Sequence, residues 1–88
     1  MASKTVTVGS SVGLHARPAA IIAEAADGYD DDITLTLVGG DDEDGVDAAS
    51  SLMIMTLGAG NGAQVTVASD DETAVATIAD LVSQDLDA

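Results

Sequence analysis

The apolar residues of this chain recur with a period of two, then about 3.6, then two again, and that change restricts the fold more than any other feature. Thr5-Val6-Thr7-Val8 alternates polar and apolar, as a strand with one face on a core and one toward water should. Gly9 and Gly13 break the pattern. From about Ala16 it becomes helical: Ala19, Ile22, Ala23 and Ala26 fall at i, i+3, i+4 and i+7, one stripe on one face, and Gly28 is placed to end the helix. Ile33-Thr34-Leu35-Thr36-Leu37 is a second alternating strand, and an acidic turn over residues 39–45 leads to a short segment around Val46 that can pair with it as a hairpin. Residues 50–57 suit a short apolar helix closed by Gly58, and residues 64–68 form the last alternating strand. Ser69 stands three residues before Glu72, a capping box expected to open a helix carrying Val75, Ile78, Ala79 and Val82 on one face.

The succession strand, helix, strand, strand, helix, strand, helix predicts an α+β fold, an antiparallel sheet with helices on its apolar face. Period alone leaves the strand order open, because a ferredoxin-like arrangement has nearly the same succession. The 88 residues suffice for one domain over 1–88 and one site. Apolar residues make up 47% of the chain, yet there is no Phe or Trp and Tyr29 is the only aromatic, so the core must be aliphatic. No apolar stretch approaches the roughly 20 residues of a membrane span. Residues 1–5 lack the basic cluster and apolar segment of a signal peptide, so a cytoplasmic protein without direct membrane insertion is expected. The chain has no cysteine, which removes disulfides, thiolate nucleophiles and Cys-type zinc sites.

Sixteen acidic residues against two basic ones give a formal net charge of −14. Such a surface repels nucleic-acid phosphates and anionic lipid, whose binding begins with Lys and Arg displacing counterions. No nucleic-acid partner is therefore expected. The many periodic apolar positions argue against disorder. Abundant Asp and scarce Lys suit a halophilic protein, kept soluble in concentrated salt where the Debye length is about 3 Å.

The stretch that bears chemistry is Gly13-Leu14-His15-Ala16-Arg17-Pro18-Ala19-Ala20, where a loop becomes a helix. Pro18 suits the first helical turn, where the N–H it lacks would have had no intrahelical partner. The remaining N–H groups of that turn and the positive end of the helix dipole favour an anion. A phosphoryl group carried by His15, the sole histidine, would sit there. Imidazole is largely neutral near pH 7 and can attack phosphorus, and Arg17 is close enough in sequence to donate paired hydrogen bonds to phosphate oxygens. The same residue types also suit a solvated helix cap, and types alone do not separate the two.

Gly-Leu-His-Ala-Arg-Pro-Ala-Ala resembles the active-site signature of HPr, the histidine-containing phosphocarrier family of the phosphoenolpyruvate:sugar phosphotransferase system. Ser50-Ser51-Leu52-Met53-Ile54-Met55-Thr56-Leu57-Gly58 resembles that family's regulatory-serine helix, and Gly62-Ala63-Gln64-Val65-Thr66-Val67 its fourth strand. The similarity covers essentially the whole chain in register, apart from extra acidic residues near Asp41 to Asp44. It implies an HPr-like open-faced β-sandwich, four antiparallel strands covered on one face by three helices in the order βαββαβα. It implies phosphorylation of His15 at Nδ1 by enzyme I, stabilisation of the phosphoryl group by Arg17, and onward transfer to a sugar-specific cytosolic component. The chain would then be a stoichiometric carrier, expected to be monomeric and to need no cofactor or metal. Ser50 aligns with the serine that a dedicated kinase phosphorylates in some bacteria.

Some positions depart from the family pattern. Glu24 and Asp27 are commonly lysine in HPr, so docking would lean on apolar contact from Ala20, Leu52, Met53 and Met55. Val12 replaces a small polar residue often found there. Methionines on a short helix are commonly core fillers, and Met53 and Met55, at alternate positions, are not expected both to face out. The run Asp41-Asp42-Glu43-Asp44-Gly45 lacks the glutamate that closes an EF-hand loop, so a solvated turn is expected, not a calcium site. Two other functions fit the same residues. One is an HPr-like carrier feeding a soluble dihydroxyacetone-type kinase or regulating metabolism. The other is a non-catalytic ferredoxin-like interaction module in which His15 is only a cap.

Overall fold

A computed structural model of the chain describes residues 2–39 and 45–85. Strands β1 (Ala2–Thr7), β2 (Ile33–Leu37), β3 (Val46–Asp47) and β4 (Gln64–Ser69) alternate with helices α1 (Ala16–Asp27), α2 (Ser51–Thr56) and α3 (Glu72–Ser83). The strands form one sheet in the order β1-β4-β2-β3, and every neighbouring pair is antiparallel. β4 is thus inserted between β1 and β2, the feature that periodicity left open.

Register decides which side chains face the helices. Leu35 lies opposite both Val67 and Val46, and all three are buried. The next rung over, Thr5, Thr66 and Thr36 lie abreast on the uncovered face, where the Thr5 and Thr66 hydroxyls share a hydrogen bond of 2.8 Å. On the covered face the stripe Ala19, Ile22, Ala23 and Ala26 of α1 and the stripe Val75, Ile78, Ala79 and Val82 of α3 are buried as their spacing requires. α3 lies over β1 and β4, and α1 packs against both α2 and α3. The half-buried Tyr29, just past α1, donates its hydroxyl to Thr77 Oγ1 of α3 at 3.0 Å.

Two local expectations are corrected. β1 begins at Ala2, because its ladder with β4 continues through Ala2–Ser69 and Ser3–Ala68 although those residues show no apolar alternation. The capping box at Ser69 does not form. Ser69 is buried as the last residue of β4, and its Oγ accepts from the Asp71 N–H. Asp71 caps α3 instead, its Oδ1 accepting from the N–H groups of Thr73 at 2.9 Å and Ala74 at 3.2 Å.

Two basic side chains cannot offset sixteen acidic ones, and the molecule measures 29 × 26 × 20 Å. At about 0.01 M salt the Debye length of about 30 Å spans the whole domain, whereas at about 1 M it is about 3 Å. Each carboxylate then feels only its neighbours. Thermal melting followed by circular dichroism is therefore expected to show a Tm that falls steadily as salt is lowered from molar to millimolar. A Tm independent of salt over that range contradicts the self-repulsion account.

Candidate functional site

The loop between β1 and α1 is positioned by backbone on two sides. Along one side runs the segment 59–63: Val8 donates to the Ala63 carbonyl at 2.8 Å, Gly62 to that of Val8 at 3.1 Å, and Leu14 to that of Ala59 at 2.8 Å. On the other side, Gly9 donates to the Val82 carbonyl near the end of α3 at 3.1 Å. A Cβ at position 9 would stand 2.1 Å from the Ser83 oxygen, so only glycine allows that approach. A turn from Ser10 to Gly13, closed by the Gly13 N–H on the Ser10 carbonyl at 2.9 Å, then swings the chain into α1. Gly13 has φ +86°, the left-handed conformation that glycine adopts at no steric cost.

His15 follows as the N-cap residue of α1, with extended backbone and no side-chain capping bond. Its carbonyl accepts from the Ala19 N–H, the first intrahelical bond. The backbone therefore starts the helix without using the imidazole. Pro18 is buried in the first turn and contributes no N–H, so the orphan donors of that turn belong to Ala16 and Arg17. Both residues are exposed. The half-buried His15 lines a cleft of about 340 Å³ together with Val12, Leu14, Met55, Gly58, Ala59 and Gly60. The other lining residues are apolar or glycine, so His15 is the one titratable residue among them.

Ser50 is the N-cap of α2, its Oγ accepting from the Met53 N–H at 3.3 Å. Only Ile54 of that helix is buried. The expectation that Met53 and Met55 cannot both face out is corrected: Met53 is 42% exposed and Met55 37%, beside Leu52 at 69%. A helix of six residues that anchors itself through one side chain leaves its other positions at the rim. Ala20 is exposed on α1, one turn beyond Arg17, and Glu24 and Asp27 continue the same exposed stripe. Of the sequence candidates, Met55 shares the His15 cleft and Arg17 the His15 helix start, whereas Ser50, Leu52 and Met53 belong to the neighbouring α2. Ala59 and Gly60 were not singled out from the sequence. Their signal is the run Gly58-Ala59-Gly60-Asn61-Gly62, whose glycines between a helix and a strand mark close backbone approach.

Among the described residues, no group of three or more His, Asp or Glu side chains is placed to hold a metal ion, and no helix is long and apolar enough to cross a membrane. The acidic run Asp41 to Asp44 lies outside the described residues.

A family model described as the PTS HPr component phosphorylation site matches residues 2–84. The chain belongs to the HPr family. It is 40% identical over 90 residues to the phosphocarrier protein HPr of Streptomyces coelicolor, covering 99% of this chain and 94% of the relative. To the HPr of Haloferax volcanii it is 39% identical over 75 residues, 85% and 82% of the two chains. The fold superposes on the crystal structure of HPr-C-His from Thermoanaerobacter tengcongensis with TM-score 0.80, 32% identity, and coverage of 93% of this chain and 91% of the other. For the HPr of Bacillus anthracis the values are 0.77, 32%, 92% and 95%. The open-faced four-stranded sheet with three helices is thus shared with HPr structures, and the chain is a phosphocarrier of the phosphotransferase system. The ferredoxin-like interaction module is set aside.

The site's geometry depends on Gly13. A Cβ there would lie 2.5 Å from the Ala59 oxygen and 2.7 Å from Gly60 Cα, displacing the carbonyl that Leu14 uses. Gly13→Ala is expected to lower stability by at least about 1–2 kcal/mol from the left-handed backbone alone, read as a lower midpoint in urea unfolding. An unchanged midpoint would show that the loop can relax away from residues 59–60.

Proposed function

We propose that His15 accepts the phosphoryl group from enzyme I, which takes it from phosphoenolpyruvate, and passes it to a sugar-specific cytosolic component of the phosphotransferase system. The observation that carries this reading is that His15 starts α1 through its backbone while its imidazole makes no capping bond, which favours a nucleophile over a cap. In the transfer, a lone pair of the ring, at Nδ1, forms the new N–P bond as the donor's bond to phosphorus breaks. The other ring nitrogen keeps its proton, and the displaced electron pair leaves on the donor. Three equatorial phosphoryl oxygens then carry spread charge, which positioned donors stabilise. The N–H groups of Ala16 and Arg17 and the positive end of the α1 dipole are such donors. The N–P bond is labile, so the same step run toward a second protein discharges the carrier.

Arg17 gains nothing as a helix residue, since a cation in the first turn opposes the dipole by about 0.3–1 kcal/mol. It is suited to a bidentate grip on the transferred phosphoryl group. Docking rests on the exposed apolar side chains of Ala20, Leu52, Met53 and Met55, because the α1 surface beyond them carries Glu24 and Asp27. The carrier acts in the cytoplasm, as a single domain. Ser50 serves as a regulatory phosphorylation site whose negative charge beside Leu52 and Met53 weakens docking.

His15→Ala is expected to abolish acid-labile, base-stable labelling by enzyme I and radiolabelled phosphoenolpyruvate, with circular dichroism unchanged. Loss of structure in that variant would make His15 structural. Arg17→Ala should slow transfer by about ten- to a thousandfold with little change in Tm, and equal rates in both directions would remove Arg17 from the mechanism.

For Ser50, aspartate can still cap α2 while adding a charge at the docking rim. Ser50→Asp is expected to keep its fold and its labelling of His15 but to raise the KM for acceptance from enzyme I, with Ser51→Asp changing it less. Equal slowing by both substitutions, or none by either, counts against the regulatory role.

A further inference from the structure

Among the backbone hydrogen bonds that tie residues 59–63 to the loop before α1, one side chain also crosses the gap. Asn61 Nδ2 donates to the Ser10 carbonyl at 3.1 Å, with the Gly9 carbonyl at 3.5 Å on its other side. Both acceptors are carbonyls, which fixes the amide with its nitrogen toward the loop. The Ser10 carbonyl also accepts the Gly13 N–H that closes the turn, so its two lone pairs are engaged by the turn and by Asn61. The Ser10 side chain is fully buried and donates to the Gln84 carbonyl at 3.4 Å, so the C-cap residue of α3 holds one side of this residue and Asn61 the other. Gly13 is followed directly by Leu14 and the N-cap residue His15, so the direction in which the turn leaves Ser10 sets where His15 enters α1.

We infer that Asn61 is a positioning residue for phosphoryl transfer, fixing the turn that aims His15. Its amide bonds to the backbone of the loop, so it acts on His15 through the turn. Asn61 is exposed, so its loss removes no core packing. The effect falls on the orientation of a nucleophile whose line of attack must be held closely, where small displacements cost large factors in rate. A carboxylate at this position has the size of the amide but no donor, and it would face the lone pairs of two carbonyls.

The inference rests on the reading of His15 as phosphoacceptor. Its test is steady-state phosphorylation by enzyme I in molar salt, where added charge is screened, comparing wild type with Asn61→Ala, Asn61→Asp, Asn61→Gln and, as a control for added charge alone, the exposed Gln64→Glu on β4. The expected result is a kcat about tenfold lower for the Ala and Asp variants with KM and Tm nearly unchanged, substantial recovery in Asn61→Gln, and no change in Gln64→Glu. The His15 ring resonances should also move in Asn61→Ala and Asn61→Asp but not in Gln64→Glu. Unchanged kcat in Asn61→Ala, or a loss that appears in KM or follows a loss of Tm, overturns the positioning role. Absence of label on wild-type His15 overturns the parent reading instead, and with it this inference.

Discussion

The hydrogen bond from the Leu14 N–H to the Ala59 carbonyl, 2.8 Å long, joins the start of α1 to the segment that links α2 and β4. It forms only because Gly13, at φ +86°, brings its backbone against residues 59 and 60 with no side chain between. Leu14 is buried beneath this contact, and His15 is thereby held at the rim of the cleft. Three parts of the sequence therefore meet at the helix start: the loop after β1, the segment before β4, and the end of α3 through Gly9. The sheet order β1-β4-β2-β3 makes this meeting possible, since placing β4 beside β1 sets their connecting segments next to each other.

Electrostatics divide the molecule into two regimes. Over most of the surface, carboxylates far outnumber basic side chains, and their influence is a long-range repulsion governed by salt. At the α1 start the sign reverses locally: the helix dipole and Arg17 favour an anion, within a first turn that contains no acidic residue. A phosphocarrier needs this combination, because the transferred group is itself an anion and has to find a favourable site on a chain of net charge −14. The exposed apolar residues of α2 supply a contact that does not depend on charge, and hydrophobic association persists in salt concentrations that screen ion pairs.

Much of the fold was legible because its elements bury one face each. The stripes of α1 and α3 and the alternation of β2 and β4 placed their core residues correctly. The first residues of β1 were not visible, since Ala2, Ser3 and Lys4 are held by backbone pairing with β4. The cap of α3 was misassigned because Ser69-x-x-Glu72 and Asp71 both satisfy the local rule, and burial of Ser69 at the strand end decides between them. His15, Arg17 and Pro18 stood out as chemical types at a helix start. Asn61 did not, because its role depends on a contact across 51 positions with the Ser10 carbonyl. The exposure of both methionines on α2 followed from the shortness of that helix, where one buried residue, Ile54, suffices.

Tyr29 has a further consequence for how the molecule can be observed. In a chain without Trp or Phe, it is the sole near-ultraviolet chromophore, anchored to Thr77 at the far end of α1 from His15. Twelve helical residues separate the two, about 18 Å at 1.5 Å per residue. Intrinsic emission thus reports one location, the junction of α1 with α3, and reads whether these helices are docked while remaining remote from the chemistry at the other end. In the isolated carrier the near-ultraviolet signal accordingly comes from a single ring whose surroundings are known.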